Sequence, residues 1–477
     1  PEANAHLQAL IPQRNPGSTW FLHKGDHDFA EVIFTTILYM FGPYPHLLYP
    51  DTLEHLLNVL LLEEGGTPEP KVPRTLGLVT DTENHHLMRE GSRYLKNQWL
   101  FERGPAGKRH EARYDNAANG LETWLVNYLQ EMLDEGVYEF NSVPYARYTM
   151  HALLNLDAYA HSAEVSNRAR YLLDNMNWRY ALGSLDLRRF PPFRRRIERH
   201  AQTALSADPH TGYMQIWVDE PYQPNSPVQP TNADRSAALL AELLPYQLPY
   251  DVRLWTLIKP REYFVRFGRG PAGSPEIYSG GPDYLIGAGG ITRGPRSLIV
   301  ARQTVLMLRD GAQDLKQCFH IQAPGSYERW NNTGLYRRFA CGNGPVFVPE
   351  RYAPSAKSRA WAVYAVDPGL HIVVYSRESL GIIAVLPDCE ASPEQLLDAF
   401  IECNPSDSDI ESRFMWPKGS TIAYDRDAPK GTWIMTSEDG DPLERDYDHW
   451  AQFDGDAPRI TFRRRARSRG PGFRNNE

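Results

Sequence analysis

Hydrophobic residues recur at spacings of three and four along the first half of the chain, up to about residue 245. This spacing is typical of amphipathic helices. The connecting segments contain Pro and Gly, and no strand-like alternation interrupts the run. Helices without intervening strands favour helical hairpins arranged as a bundle or an α/α toroid. Helices are predicted near residues 28–41, 51–63, 84–100, 119–134, 143–160, 163–181 and 233–244.

From about residue 250 the hydrophobic period changes to two. The segments become short and rich in β-branched and aromatic residues, and Gly, Pro, Asp and Ser separate them. A helical pattern returns only at 392–402. The pattern predicts an antiparallel β-sandwich. Strands are expected within 254–267, 297–310, 317–322, 360–366, 370–376, 380–387 and 459–466.

These two patterns predict a mixed α+β protein with two domains. Residues 1–248 form a helical domain, either a bundle or an α/α toroid, and residues 249–477 form a β-sandwich domain that ends in a basic tail. A chain of 477 residues, 42% of them hydrophobic, is long enough to bury the core of both domains.

Charge and composition exclude several classes of function. The net charge of −8 argues against nucleic acid as the main partner, and no run of about 18 apolar residues predicts a membrane span. The four cysteines form no CxxC pair, which disfavours zinc ribbons and thioredoxin-like sites; two disulfides and four buried thiols are both compatible with them. "GAGGITRG" lacks the strand and helix expected around a dinucleotide fingerprint.

The first candidate site is the start of the helix predicted at 84–100, in "TDTENHHLMREGSRYLKNQWL". A helix N-terminus presents free N–H groups and a positive dipole to an anion. Asn84 and His85 stand there, although a helical wheel points His85 away from the packed face, and His86 is assigned to structure. A polar helix end that satisfies backbone groups explains the segment equally well.

Three further segments carry candidate ligand-binding side chains. "DEGVYEFNSVPYARYTM" forms a loop and helix start where Tyr145 is either a functional or a core tyrosine. "DLRRFPPFRRRIERH" is rich in arginines, which bind carboxylates through a planar fork but often form a solvated face. "YERWNNTGLYRRF" is an aromatic, amide-rich loop that suits sugar contacts as well as ordinary loop chemistry. The candidate binding residues are Glu139, Asn141, Arg147, Arg188, Arg189, Arg194, Arg195, Trp330, Asn332 and Tyr336.

An Asn-His pair at a helix start, a tyrosine segment some sixty residues on, and a helical half followed by a β half together resemble the heparinase II/III-like polysaccharide lyases. The alginate lyases of that superfamily show the same layout. The resemblance implies an α/α toroid joined to a sandwich, and cleavage of uronate-containing chains by β-elimination. The helical half, about 245 residues, is short for a full toroid, so an incomplete α/α toroid is expected. It implies that Asn84 binds the uronate carboxylate, that His85 neutralises charge or acts as base, and that Tyr145 protonates the leaving oxygen and can also act as base.

The chain departs from this family in its β half. Members often carry a His-x-His-x-Asp segment there, whereas residues 279–294 contain no His; His320 and His371 are the available substitutes. No metal or other cofactor is therefore predicted. The expected partner is an acidic polysaccharide or oligosaccharide, without nucleic acid or membrane, and the expected location is secreted or periplasmic with the signal peptide removed.

Two alternatives remain. One is a glycoside hydrolase that uses two of Glu83, Asp115 and Glu139. The other is a carbohydrate-binding protein without turnover, which would use the same aromatic and arginine side chains.

Overall fold

The computed structural model describes residues 1–218, 232–268, 274–291, 298–322, 331–429, 431–451 and 453–457. An N-terminal helical region is followed by antiparallel sheets, which confirms the predicted α+β class and its order. The toroidal arrangement of the helices remains a prediction. The α-helices are α1 (Glu2–Ala9), α2 (Asp28–Phe41), α3 (Pro50–His55), α4 (Glu83–Arg103), α5 (Leu121–Glu135), α6 (Ala146–Tyr159), α7 (Ala163–Leu182), α8 (Thr211–Trp217), α9 (Asn232–Leu243), α10 (Tyr250–Leu257) and α11 (Pro393–Cys403).

The strands are short and pair antiparallel with their neighbours. They are β1 (Phe193–Arg194), β2 (Tyr263–Phe267), β3 (Glu276–Gly280), β4 (Tyr284–Gly289), β5 (Ile299–Val300), β6 (Val305–Leu308), β7 (Phe319–Ile321), β8 (Leu335–Tyr336), β9 (Phe339–Gly342), β10 (Val346–Phe347), β11 (Ala356–Ser358), β12 (Trp361–Asp367), β13 (Leu370–Ser376), β14 (Gly381–Leu386), β15 (Arg413–Met415), β16 (Thr421–Tyr424), β17 (Met435–Glu438), β18 (Asp441–Pro442) and β19 (Asp454–Gly455).

Within the described residues, three sheets make up most of the C-terminal region. A seven-stranded sheet has the order β10-β7-β6-β4-β3-β2-β19, and a six-stranded sheet has the order β11-β12-β13-β14-β9-β8. Strands β15 to β18 form a four-stranded sheet. The strands β1 and β5 pair separately, so that residues 193–194 of the helical region are tied to the β region.

The seven-stranded sheet is covered on both faces. Leu285 and Val305 belong to the same core as the helices, whereas their neighbours Ile286 and Leu306 belong to the core shared with the six-stranded sheet. Successive side chains of a strand point to opposite faces, so this alternation places the helices on one face and the second sheet on the other. The helical region is thus fastened to the sheets by a continuous apolar core.

The predicted helices near 28–41, 84–100, 119–134, 143–160, 163–181 and 233–244 correspond to α2, α4, α5, α6, α7 and α9. The segment at 51–63 is only partly α-helical, because α3 passes into a π-helical turn at Leu56–Leu60. The short helices α1 and α8 were not predicted, since helices of eight and seven residues show too little periodicity.

Two strand expectations were wrong. Residues 250–257 form helix α10, with Val252 and Thr256 buried at a spacing of four, so only the end of the 254–267 segment is a strand. Strand β4 runs into "GAGGITRG", where no preceding strand was expected; β4 is antiparallel to both neighbours, unlike a strand of a dinucleotide-binding sheet. The strand expected at 459–466 and the basic tail lie outside the described residues. The domain boundary at 248 remains a prediction.

Candidate functional site

Helix α4 is buried along nearly its whole length, although many of its residues are polar. Every residue from 83 to 100 is buried. Thr82 is the N-cap residue, and the preceding Asp81 accepts hydrogen bonds from the backbone N–H and the hydroxyl of Ser18. The helix start is therefore held inside the protein rather than at its surface. The helical wheel pointed His85 away from the packed face, and this prediction was wrong because His85 is buried.

His85 is paired with a buried carboxylate. Its Nδ1 lies 2.7 Å from Oδ2 of Asp28, the first residue of α2, and the two side chains are 3% and 0% exposed. Burial by itself lowers the pKa of His85, but the hydrogen bond to Asp28 and the charges of Asp28 and Asp81 outweigh it and raise that pKa above its usual value. Asp28 also fixes the orientation of the imidazole ring.

Tyr145 and His85 both lie close to the ring of Phe29. The ring centroids of Phe29 and His85 are 5.2 Å apart, and those of Phe29 and Tyr145 are 6.1 Å apart in a stacked arrangement. The guanidinium carbons of Arg195 and Arg196 lie 5.3 and 5.5 Å from the centre of the Tyr145 ring. Helix starts that are sixty residues apart in sequence thus meet at one place, with cations beside the tyrosine.

Two glutamates complete this cluster. The backbone N–H of Glu139 donates a hydrogen bond to Oε1 of Glu83, and Arg195 Nη1 lies 2.7 Å from Glu139 Oε1. Burial, and then the neighbouring Glu139 charge, raise the pKa of Glu83 to about 8. Burial also raises the pKa of Glu139, even though Arg195 opposes the shift. At neutral pH these groups hold protons more readily than ordinary glutamates. The α4 cluster is defined here as Asp28, Glu83, His85, Glu139, Tyr145 and Arg195.

Asn84 is fully buried beside the cluster. Its Oδ1 accepts a hydrogen bond from the Thr82 hydroxyl, and its Nδ2 has no hydrogen-bond partner among the described residues. An unpaired buried amide is costly, because such a group normally finds a partner. The Asn84 amide nitrogen is therefore a buried donor without a partner among the described residues.

Asn141 and Arg189 lie in a second buried network next to the cluster. Asn141 Nδ2 donates to Glu276 Oε2 of β3 at 2.9 Å, and Arg189 Nη2 donates to Asn141 Oδ1 at 2.8 Å. Arg189 is also paired with Asp208. This network joins the helical region to the seven-stranded sheet. Its polar groups satisfy one another, which indicates a positioning role.

The other arginines of the predicted binding set have diverse partners. Arg188 is fully buried and donates to the carbonyls of Ala312 and Leu308 at 2.7 and 3.0 Å, so it fastens the helical region to the sheets. Arg194 lies over the ring of Tyr138, with its guanidinium carbon 3.9 Å from the ring centre.

Arg147 is close to the cluster but faces a different tyrosine. Its Nη2 donates to the Tyr148 hydroxyl at 2.7 Å, and its guanidinium carbon lies 4.6 Å from the centre of that ring. Tyr148 in turn contacts Phe29, with ring centroids 4.5 Å apart. Arg147 is therefore attached to the tyrosine that neighbours the site.

The predicted binding residues of the β region are not in the α4 cluster. Asn332 is buried and accepts a hydrogen bond from Thr304 at 3.1 Å. Tyr336 donates its hydroxyl to Glu438 at 2.6 Å and lines a separate groove. Trp330 lies outside the described residues. Asp115, a candidate acid, accepts bonds from the N–H groups at 117 and 118 in an exposed turn.

The α4 cluster is closed. Glu139 and Asn141 line a cavity of only about 30 Å³, which is room for about one or two water molecules. The solvent-facing side is formed by Arg195 and Arg196, whose side chains are 28% and 50% exposed.

Sequence reasoning missed Asp28 and Asp81 as partners of His85. Asp28 comes 57 residues before His85, and nothing in "GDHDFAEV" marks it, because only the packing of α2 against α4 brings the two together. Asp81 lies much closer to His85 along the chain than Asp28 does. Its position four residues before His85 was the one available signal.

Comparisons with known families and proteins provide no further assignment. Within the described residues, no three His, Cys, Asp or Glu side chains are grouped as ligands for a metal ion, and no helix combines the length and hydropathy of a membrane span. The four cysteines are free thiols. No protein family, curated protein or solved structure matches the chain.

Proposed function

We propose that this protein is a polysaccharide lyase that cleaves a uronate-containing chain by β-elimination at the α4 cluster. The observation that carries the proposal is that His85 and Tyr145 both contact the ring of Phe29, with Arg195 beside the tyrosine. These groups supply an acid, a base and a cation within one small volume.

In the proposed reaction, a base removes the proton at C5 of the uronate. The electron pair forms the C4–C5 double bond, the bond from C4 to the glycosidic oxygen breaks, and that oxygen takes a proton from the acid. Tyr145 serves as the acid. His85 serves as the base when it is neutral. When it is protonated, it neutralises the uronate carboxylate instead, and Tyr145 first accepts the C5 proton as base and then donates a proton to the leaving oxygen as acid. Acid–base assistance of this kind contributes about 10²- to 10⁴-fold to a rate.

The carboxylate of the substrate needs donors, because the anion that develops on removal of the C5 proton is delocalised onto it. Asn84 offers its unpaired amide N–H groups, and Arg195 offers a guanidinium. Hydrogen bonds that strengthen as charge develops lower the barrier most when the donors are already in place. Arg195 would exchange its bond with Glu139 for one with the substrate.

A glycoside hydrolase is the second candidate, and one observation favours it. Glu83 and Glu139 are neighbouring buried glutamates with raised pKa values, as a general acid requires near neutral pH. Asp115, in an exposed turn, has no part in this pair. A carbohydrate-binding protein without turnover would not require raised pKa values at Glu83 and Glu139.

One assay separates the two enzymatic functions from each other and can exclude both. The full chain is incubated with a panel of uronate polymers, and the products are followed by ultraviolet absorbance and by new reducing ends. A lyase gives both signals, because each elimination makes an unsaturated sugar. Reducing ends without the absorbance indicate a hydrolase, and neither signal on any polymer contradicts both enzymatic functions.

The variant Tyr145→Phe tests the mechanism. It keeps the ring that stacks on Phe29 and removes the hydroxyl, so we expect turnover to fall by about 10²- to 10⁴-fold. Tyr148→Phe is the matched control, because Tyr148 contacts the same Phe29 ring and its hydroxyl has no role in the proposed reaction. Unchanged turnover of Tyr145→Phe would exclude Tyr145 as the acid.

A further inference from the structure

A second site candidate lies in the β region, away from the α4 cluster. A groove of about 550 Å³ opens between the segment after β14, helix α11, and the turns that follow β8 and β15. Pockets of about 300 to 1,000 Å³ commonly hold small ligands. We call it the sheet groove. Its polar and aromatic lining includes Glu262, Tyr336, Arg337, Arg338, Asp388, Gln395, Trp416, Lys418 and Glu438.

The aromatic part of the sheet groove is Trp416. Its ring packs against Phe414 and Phe400, with ring centroids 5.3 and 5.9 Å apart, and the side chain is only partly buried. These contacts hold the indole in place at the wall of the groove. A fixed, partly exposed indole is a stacking surface for the apolar face of a sugar ring.

The acidic side chains of the groove already have partners. Glu262 Oε1 lies 3.3 Å from Arg338 Nε, and Glu438 accepts the Tyr336 hydroxyl. Asp388 is paired with Arg261, whose Nη2 lies 3.1 Å from Oδ2 of the carboxylate. Because each of these carboxylates already has a partner in the protein, we do not expect the groove to bind a cationic ligand.

One basic side chain of the groove lacks such a partner among the described residues. Arg338 is paired with Glu262. Arg337 interacts with the Tyr336 side chain and with the charge of Glu438, and both interactions raise the pKa of Arg337. Lys418 is exposed, on the turn after Trp416, and has no ion pair or hydrogen bond of its side chain with any residue in the described part of the chain. The groove thus presents one stacking ring and one unpaired ammonium two residues apart.

We propose that the sheet groove binds one acidic sugar unit of an oligosaccharide, with the ring stacked on Trp416 and the carboxylate paired with Lys418. The paired polar groups around them, Gln395 and Arg338 among them, offer donors and acceptors to the hydroxyls. The site binds without cleaving. The inference stands on the groove alone and does not depend on the proposed lyase reaction.

The test is a binding measurement by calorimetry with a short oligogalacturonate and with its methyl-esterified form. The protein is the full chain carrying Tyr145→Phe, so that any lyase turnover is suppressed. We expect Trp416→Ala to weaken binding of both ligands about ten-fold or more. We expect Lys418→Met to weaken binding of the acid form by a similar factor and to leave the ester unchanged. Trp20→Ala is the control, because Trp20 is 49% exposed and lies outside the groove.

Several outcomes would overturn the inference. Binding that is the same in Trp416→Ala and in the parent excludes the groove as the site, and equal binding of acid and ester excludes the role of Lys418. Circular dichroism and thermal unfolding establish that the variants are folded, and Trp416→Phe, which keeps an aromatic ring, should retain most of the affinity. If the chain proves not to be a lyase, these binding results keep their meaning, because no step depends on turnover.

Discussion

The α4 cluster and the sheet groove contain similar kinds of side chain in opposite surroundings. In the α4 cluster the three acidic side chains and His85 are buried, and burial raises the pKa of Glu83 to about 8. Around the sheet groove the ion pair of Arg338 and Glu262 is about 40% exposed on both sides. Water screens the charges around the sheet groove but cannot screen the buried charges of the α4 cluster.

This difference in burial makes the two regions suitable for two different kinds of function. Proton transfer near neutral pH needs groups whose pKa values are shifted, and burial provides the shift. Reversible binding of a polar ligand needs an open surface on which a ring can stack and a charge can pair. The α4 cluster meets the first requirement and the sheet groove meets the second, which is why we propose catalysis at the α4 cluster and binding at the sheet groove.

The largest effect is expected from removing a buried charge on α4. Glu90 Oε1 lies 3.0 Å from Arg89 Nε, and its Oε2 lies 3.3 Å from Arg93 Nε; all three side chains are nearly inaccessible. Glu90→Gln leaves cations buried with less compensation. We expect the free energy of unfolding to fall by about 3 to 5 kcal/mol, measured by urea unfolding. A loss below about 1 kcal/mol would show that water screens α4 as it screens the groove.

An intermediate effect is expected on the pH dependence of the α4 cluster. Asp28 raises the pKa of His85, so Asp28→Asn should lower that pKa. The His85 limb of the pH–rate profile then moves to lower pH, whether the neutral or the protonated imidazole is the active form. An NMR titration of the His85 ring measures the pKa without reference to activity. A limb and a titration that both stay in place would mean that the Asp28 contact does not control His85.

The smallest effect is expected from the exposed ion pair at the groove. Glu262→Gln removes the partner of Arg338, and we expect the free energy of unfolding to change by less than about 1 kcal/mol. Urea unfolding under the conditions used for Glu90→Gln gives the matched comparison. Equal losses in the two variants would remove the contrast between the closed and the open region.

The sequence predicted the order of the helical and β regions because hydrophobic period is a local property. The shift from periods of three and four to a period of two is visible without any long-range contact. The errors, such as the strand expected over residues that form α10, occur where few residues define the period. The toroid depends on how the helices pack, and a period does not report that.

The sequence also selected Asn84, His85 and Tyr145 as a group, but it could not show their surroundings. A helical wheel assumes one buried face, whereas α4 is enclosed on all sides by α2, α5, α6 and the loops before it. The arginine-rich segment is a single feature in the sequence, whereas its arginines have different contacts in the structure. Arg188 fastens the sheets, while Arg195 pairs with Glu139 in the cluster.

By itself, the sequence determined the succession of elements, the bulk charge and the residue types available for chemistry, since these follow from local pattern and composition. The tertiary structure alone decided that Asp28 lies against His85, that Tyr145 and His85 lie near the same Phe29 ring, and that Trp416 and Lys418 share a groove with residues from distant strands. The physical reason is that pKa shifts, ring contacts and unpaired charges depend on distances through space, which the order of residues along the chain does not specify.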